Sequence, residues 1–310
     1  MAVQKGRCIR MFLKKVCIFL VVAFLAVDVF LLSIYFHANK NLNTLSDKML
    51  DNTAKYYESI GITIDKDIIE KRVPDNKIYT FAYSNSEVGL DAAENLASAL
   101  FSAKSVVNMV ETPKGMSYSI NDNGKNAASL RIDTESFDFE YVHSEFSSDI
   151  SGIPSEPFSN MLTDIKDSDK RAIRSFLSAL YSQNKPKFAI KGSYEVGNRV
   201  TVCVEFLVDD ECFVEEMFAN AVIEDGMLVY AKGSIILSEL NKSYSEQLYD
   251  GVNAFSKIDT ATVSEFVSEK IVYSHRYAGN GVNYLIPVWK IEYIDVNGKM
   301  QTQYIDAIKG

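Results

Sequence analysis

Tyr284–Ala307, YLIPVWKIEYIDVNGKMQTQYIDA, decides the fold. Tyr284–Tyr293 and Met300–Ala307 read as strands, and Val296-Asn297-Gly298-Lys299 between them carries the Asn-Gly pair that turns a hairpin. Ahead of the hairpin, Lys270–Tyr277 is another strand. Ser243-Tyr244-Ser245-Glu246 is a capping box, which predicts a helix through about Phe255. Residues 241–310 therefore form one unit, a helix followed by antiparallel strands.

The same order occurs upstream. In residues 163–240, Ile173, Phe176, Leu177, Leu180 and Tyr181 line one face of a helix over Ser168–Tyr181. Strands follow at Lys187–Tyr194, Arg199–Leu207 and Phe218–Ile223, and Asp225-Gly226 turns the chain into Met227–Ile236. Residue-level similarity to 241–310 is weak, so a duplication rests on element order. Residues 62–143 form a first unit. Ile78–Tyr83 is a strand, and Ser84-Asn85-Ser86-Glu87 caps a helix whose apolar face is Leu90, Ala93, Ala97, Leu100 and Phe101. Strands then follow at Gly115–Ile120, Ala127–Thr134 and Phe137–Val142. Residues 144–162, rich in Ser, Pro and acids, read as a linker. The expected class is α+β, with two to three small units of helix plus antiparallel sheet.

Val16–Phe36, VCIFLVVAFLAVDVFLLSIYF, is apolar or small except for Asp28. As a helix it rises about 30 Å, the thickness of a bilayer's hydrocarbon core. Lys5, Arg7, Arg10, Lys14 and Lys15 precede it, and the next cation is Lys40. That asymmetry predicts a single-pass protein of the cell membrane with its N-terminus in the cytoplasm and its C-terminal region extracytoplasmic. A cleaved signal peptide would have an apolar core of about 7–15 residues. Here the run is longer, and a cut after Ala38 would put Phe36 where a small residue is wanted. Residues 1–15 are then a basic cytoplasmic tail, 16–36 a transmembrane helix and 37–61 a juxtamembrane helix. In the juxtamembrane helix Leu42, Leu45, Met49, Tyr56 and Ile60 recur at roughly helical spacing. A carboxylate near mid-span costs about 2.5–3.5 kcal/mol on insertion scales. Asp28 either meets a polar partner on a neighbouring helix, through a face of Val21, Phe24, Leu31 and Tyr35, or is protonated in a lone helix.

Residues 1–36 hold 5 Lys/Arg and 1 acid, which leaves 27 bases and 40 acids outside, a net of −13. So acidic a region is a poor candidate to bind nucleic acid or anionic lipid, which need clustered Lys and Arg, and no nucleic-acid partner is expected. Cys203 and Cys212 stand where a disulfide is permitted, at a separation that suits neighbouring strands; buried thiols are the alternative. His37, His143 and His275 show no metal-ligand spacing, and HExxH, GxSxG, P-loop and CxxC patterns are absent. Ser182-Gln183-Asn184-Lys185 matches Ser-x-x-Lys without its companion motifs. Asp209-Asp210-Glu211 with Glu215-Glu216 reads as a solvated turn rather than a cation site. No enzyme, metal or cofactor is expected.

Two stretches together resemble a known family: the basic tail and span followed by NTLSDKMLDNTAKYYESIGITID, and the C-terminal PVWKIEYIDVNGKMQTQYIDAIKG. These resemble the YycI-type regulators and their YycH relatives, membrane-anchored accessory proteins of an essential two-component system in Gram-positive bacteria. WKIEYID…YIDAIKG is also similar to the closing hairpin of PepSY-type domains. Asp28 departs from the Asn-like residue expected at that polar position. The resemblance implies a non-enzymatic regulator of a sensor histidine kinase governing the cell envelope and cell wall. The kinase, and a YycH-type accessory protein beside it, would be bound through the span and the extracytoplasmic region. Trp289, Tyr293 and Tyr304 are candidate contacts there, against the alternative of core packing. A PepSY-type binding or inhibitor module, restraining a protease or holding peptide or wall fragments, is the rival reading. Protease added to intact protoplasts should digest the ectodomain and leave a small membrane fragment; release of an ectodomain beginning near Asn39 into the medium would refute the anchor.

Overall fold

The structure, a computed structural model, describes residues 27–31, 44–71, 77–146, 152–159, 164–181, 187–208, 212–244, 248–279 and 282–308. The protein is α+β and dominated by strands. The larger sheet holds β2 (Val106–Thr112), β3 (Gly115–Asp122), β4 (Lys125–Asp133), β5 (Asp138–His143), β6 (Lys187–Val196), β7 (Arg199–Val208), β8 (Cys212–Glu224) and β9 (Met227–Ser234). Their order is β2-β3-β4-β5-β9-β8-β7-β6, antiparallel throughout. The first and second units are thus each a helix and a four-strand meander, joined where their last strands pair, Tyr141 opposite Ala231. Helices α2 (Ser86–Leu100) and α3 (Asp167–Leu180) lie side by side over this sheet. Their Leu96, Phe176 and Leu180 pack onto Tyr118, Leu130, Tyr141 and Ala231. Asn85 caps α2 by accepting the Val88 N–H at 2.9 Å, within the box read from sequence.

The C-terminal sheet is built on β12 (Val282–Asp295), which pairs along its length with β11 (Val263–Gly279). Its other edge is shared. Val282–Leu285 pair with β1 (Lys77–Ala82), and Val288–Ile294 pair with β13 (Met300–Asp306). Pro287 stands at the handover, where a missing N–H deletes no bond to either partner. β10 (Asn241–Tyr244) extends the sheet beyond β1, and a parallel bridge between Tyr273 and Val214 joins β11 to β8. Helices α1 (Asp47–Ser59) and α4 (Gly251–Phe255), with a 3-10 turn at Lys66–Ile68, cover one face. Leu50, Ala54 and Tyr57, at i, i+4 and i+7, bury the inner face of α1.

Several expectations are corrected. The capping box at 243–246 does not open a helix: Ser243 and Tyr244 belong to β10, with Ser243 opposite Ile78 and Tyr244 opposite Lys77. The helix begins instead at Gly251, after Asp250 accepts the Asn253 N–H at 2.8 Å. A cap signal is local, and pairing to the open edge of β1 overrode it. Residues 152–159 of the expected linker form no strand or α-helix and are tethered to the sheet. Asn220, wholly buried, donates to the Pro154 and Glu156 carbonyls at 2.7 and 3.0 Å, strapping this segment across β8. Val106–Thr112 forms a strand that periodicity missed; its β-branched run before Pro113-Lys114-Gly115 was the available signal.

No disulfide joins Cys203 and Cys212. Cys203 stands opposite Asn220 and Cys212 opposite Val208. Five residues of strand therefore separate them, about 17 Å, whereas a bridge needs Cα atoms within about 7 Å. Cys203 is buried, and burial pushes its thiol up. In a Cys8→Ser/Cys17→Ser background, alkylation without reductant should label two thiols after denaturation, and Cys212 well before Cys203 in the native protein. Protection of both thiols until reductant is added would restore the bridge.

Candidate functional site

Helix α1, the first described helix beyond the predicted membrane span, packs against the C-terminal unit. Tyr57 of α1 meets Phe266 of β11 edge-on at 5.2 Å and Phe255 of α4 at 6.0 Å. Phe255 and Phe266 meet at 4.6 Å. Beneath them lie Trp289 and Ile291 of β12, both fully buried. Trp289 Nε1 donates to the Tyr249 carbonyl at 3.0 Å, which satisfies its one polar atom and ties the entry to α4 onto the hairpin. Any displacement of α1 therefore acts on β11 and β12 through close-packed rings.

Glu269 of β11 sits at the edge of this core, 6 % exposed. One carboxyl oxygen accepts the Glu70 N–H at 2.9 Å, and the other has no hydrogen-bond partner. Gly251 opposes it so closely that a Cβ there would stand 2.9 Å from Cδ of Glu269. Burial pushes the carboxyl up to about 8, and the Glu70 and Asp250 charges add to the rise against the lowering Glu70 N–H. Tyr57, raised to about 12 chiefly by burial, also feels Glu269. Glu269 thus ties the segment after the 3-10 turn to β11 beneath Gly251, and burial favours its neutral form.

A second polar cluster marks the seam between the sheets. Glu215 of β8 accepts from Lys290 of β12 and from the Tyr304 hydroxyl of β13, the latter at 2.8 Å. Burial pushes the Glu215 carboxyl up, but the Lys290 and Tyr304 hydrogen bonds and the Lys290 and Lys270 charges together hold it below its ordinary value. Tyr304 is raised, first by burial and then by Glu215. Glu216 accepts from Ser274 at 2.7 Å and from the His275 N–H at 3.2 Å. Arg276 donates to Ser274 at 2.8 Å and to Asp306 at 3.1 Å. Ser274 is engaged on both sides, by a carboxylate and a guanidinium, and the His275 ring meets Asn283 at 2.7 Å. This arrangement joins β8, β11, β12 and β13.

The candidate residues separate accordingly. Trp289 is core and therefore not available as a surface contact. Tyr293 packs against the same core, 6.3 Å from Phe266. Tyr304 is 42 % exposed on the opposite face, because Lys290 stands opposite Tyr304 and Trp289 opposite Ile305. Asp28 and Leu31 lie in the helical residues 27–31, while Val21, Phe24 and Tyr35, like most of 16–36, fall outside the described residues. Among the described residues no helix is long and apolar enough to cross a membrane, and no three His, Cys, Asp or Glu are grouped to hold a metal ion. Glu215 and Glu216, read as part of a solvated turn, are strand residues; Glu269 falls just ahead of the strand expected at Lys270–Tyr277 and carries no sequence signal.

No model of a known protein family matches the chain, and no curated protein matches it. Among solved structures it is similar to an uncharacterized protein from Eubacterium rectale, at 14 % identity over 80 % of this chain and 88 % of that one, with a TM-score of 0.46. It is also similar to the Bacillus megaterium YpeB C-terminal domain, at 10 % identity over 74 % of this chain and 95 % of that one, with a TM-score of 0.37. At these scores the likenesses carry no argument about function.

Glu269 sets a pH dependence. Its carboxyl is raised in the folded state, so the folded state binds the proton more tightly than the unfolded chain. That stabilisation is complete below about pH 4.5 and is lost as pH rises toward about 8, by something of order 3–5 kcal/mol. Denaturant midpoints of the full chain in detergent should fall between pH 5 and pH 8, and Glu269→Gln should flatten that fall and be the more stable protein at pH 8. Parallel profiles for the two proteins would remove the neutral-acid assignment.

Proposed function

We propose that this chain is a membrane-anchored, non-enzymatic regulator of a cell-envelope sensor histidine kinase, of the YycI/YycH kind, with a PepSY-like C-terminal unit. The observation that carries the reading is the burial of α1, the first described helix after the predicted span, in the core of the β11–β13 unit. An anchor helix that grips a kinase helix would thereby be linked mechanically to the extracytoplasmic sheet. Regulation of this kind needs no chemistry. It needs only that the protein bind one kinase conformation better than another, and a difference of about 1–3 kcal/mol changes output severalfold to about a hundredfold. The sequence resemblance and the basic flank support the same reading.

Asp28 is the residue through which the span recognises the kinase helix. Asp28→Leu should insert at least as well as the parent yet lose a contact of about 0.6–2 kcal/mol, so complex recovery should fall severalfold to roughly thirtyfold. Asp28→Asn should keep most of it, because an amide still donates and accepts. Leu20→Ala is the control. The measurement is co-purification with the cell's histidine kinases in mild detergent, with membrane levels matched. Undiminished recovery with Asp28→Leu refutes the role of Asp28, and retention of a protease in place of a kinase favours the inhibitor module.

A further inference from the structure

β2 is an open edge of the sheet. It pairs with β3 from Val106–Asn121 to Thr112–Gly115 without a register shift, so one row of its backbone N–H and C=O groups faces outward. Val106, Met109 and Val110 are 58 %, 47 % and 60 % exposed. Long, regular, apolar edges recruit a further strand, and folded proteins usually blunt them. Two other outer strands are blunted: β6 is bulged between Ile190 and Gly192 and carries Lys187 and Lys191, and β10 has 4 residues. β13 is regular, but its exposed face alternates Met300 and Tyr304 with Thr302 and Asp306, and Tyr304 is bonded to Glu215. Beside β2 runs α2, and a groove between them is lined by Glu94, Ala97, Ser98, Ser102 and Val107. The small side chains leave room for a backbone. The charge on the two elements is acidic, with Lys104 and Lys114 confined to the adjoining turns. Glu87, Asp91 and Glu94 are exposed at i, i+4 and i+7 on α2, Glu111 is exposed on β2, and neither element contains Lys or Arg.

We propose that the α2–β2 groove is a docking site for an extended, Lys- or Arg-bearing segment of a partner protein, added to β2 as a strand. Backbone bonds to β2 supply the register, alternate apolar side chains cover Val106 and Val110, and basic side chains reach Glu94 and its neighbours on α2. A second copy of this chain is the poorer occupant. Pairing β2 with β2 across a two-fold would bring two acidic α2 helices together on one face of the sheet. The proposal is independent of the anchor and of the kinase reading.

The test uses the full chain in detergent and a fluorescent, end-blocked nine-residue peptide alternating Val with Lys and Thr, beside its Lys→Glu twin. The basic peptide should bind at least tenfold tighter than the acidic one and weaken with salt. The double variant Val106→Lys/Val110→Lys should weaken binding at least tenfold, and Glu94→Lys severalfold. All three positions are exposed, so melting temperatures should not change; if the double variant does unfold, Glu94→Lys alone decides. Absence of binding, equal binding of the two peptides, or binding indifferent to these variants overturns the proposal. So does a wild-type dimer that the double variant dissociates, since the edge would then be a contact between copies.

Discussion

The structure depends on β12 having partners on both sides and changing one of them midway. β11 runs along one edge of it without a break in pairing, bending at three register shifts. On the other edge β1 gives way to β13, and the chain places Pro287 at the point where neither pairs. β1 comes from the first third of the sequence and β13 from its end, so this one strand ties the chain's extremes together. Its side chains alternate accordingly: Trp289 and Ile291 enter the core under α1 and α4, while Lys290 crosses to Glu215 on the larger sheet.

The larger sheet solves a different problem. A helix with a four-strand meander leaves an open edge at its last strand, and two such units close that edge on each other through β5 and β9. The helices then share one layer, and the two units become a single core containing Phe176, Tyr118 and Tyr141. Element order hinted at repetition between the second and third units. The shared helix-and-meander pattern is clearer between the first and second, whose terminal strands meet.

What the sequence made legible was local. The Asn297-Gly298 hairpin, with Gly298 at φ +77°, the Asn85 cap and the apolar stripes of α2 and α3 follow from spacing and turn chemistry. The stripe expected for the first helix does not: Met49, Tyr56 and Ile60 are exposed, and Leu50, Ala54 and Tyr57 are the buried face. What it hid was long-range. β10 exists because β1 offers it an edge, and the cysteines miss each other because the β7–β8 hairpin is longer than their spacing suggests. Of the hairpin aromatics, burial separates Trp289 from Tyr304 through strand parity, which follows once the register is known. Glu269 was invisible because its character comes from Gly251, Glu70 and Asp250, none adjacent to it in sequence.

The strength of the link between the N-terminal helix and the C-terminal sheet can be apportioned. Two ion pairs tie α1 to the segment after it, Lys66–Asp51 at 2.9 Å and Lys71–Asp47 at 3.1 Å, and both are largely exposed. Exposed pairs contribute about 0–1 kcal/mol and weaken with salt. Leu50 and Tyr57 are 2 % and 3 % exposed, and burying such side chains is worth about 1.5–3 kcal/mol each. Apolar packing therefore holds α1, and salt leaves the link intact. The seam to the larger sheet is mixed: Glu215 and Glu216 of β8 accept from Lys290, Tyr304 and Ser274, while Tyr79, Phe81, Tyr273 and Leu285 share one apolar core with Val214 and Met217 of β8. The polar contacts are directional and fail together when strands shift. A pull on α1 would thus act first on the C-terminal unit, where the apolar core shared with the larger sheet and the directional contacts of Glu215 and Glu216 would together resist the motion.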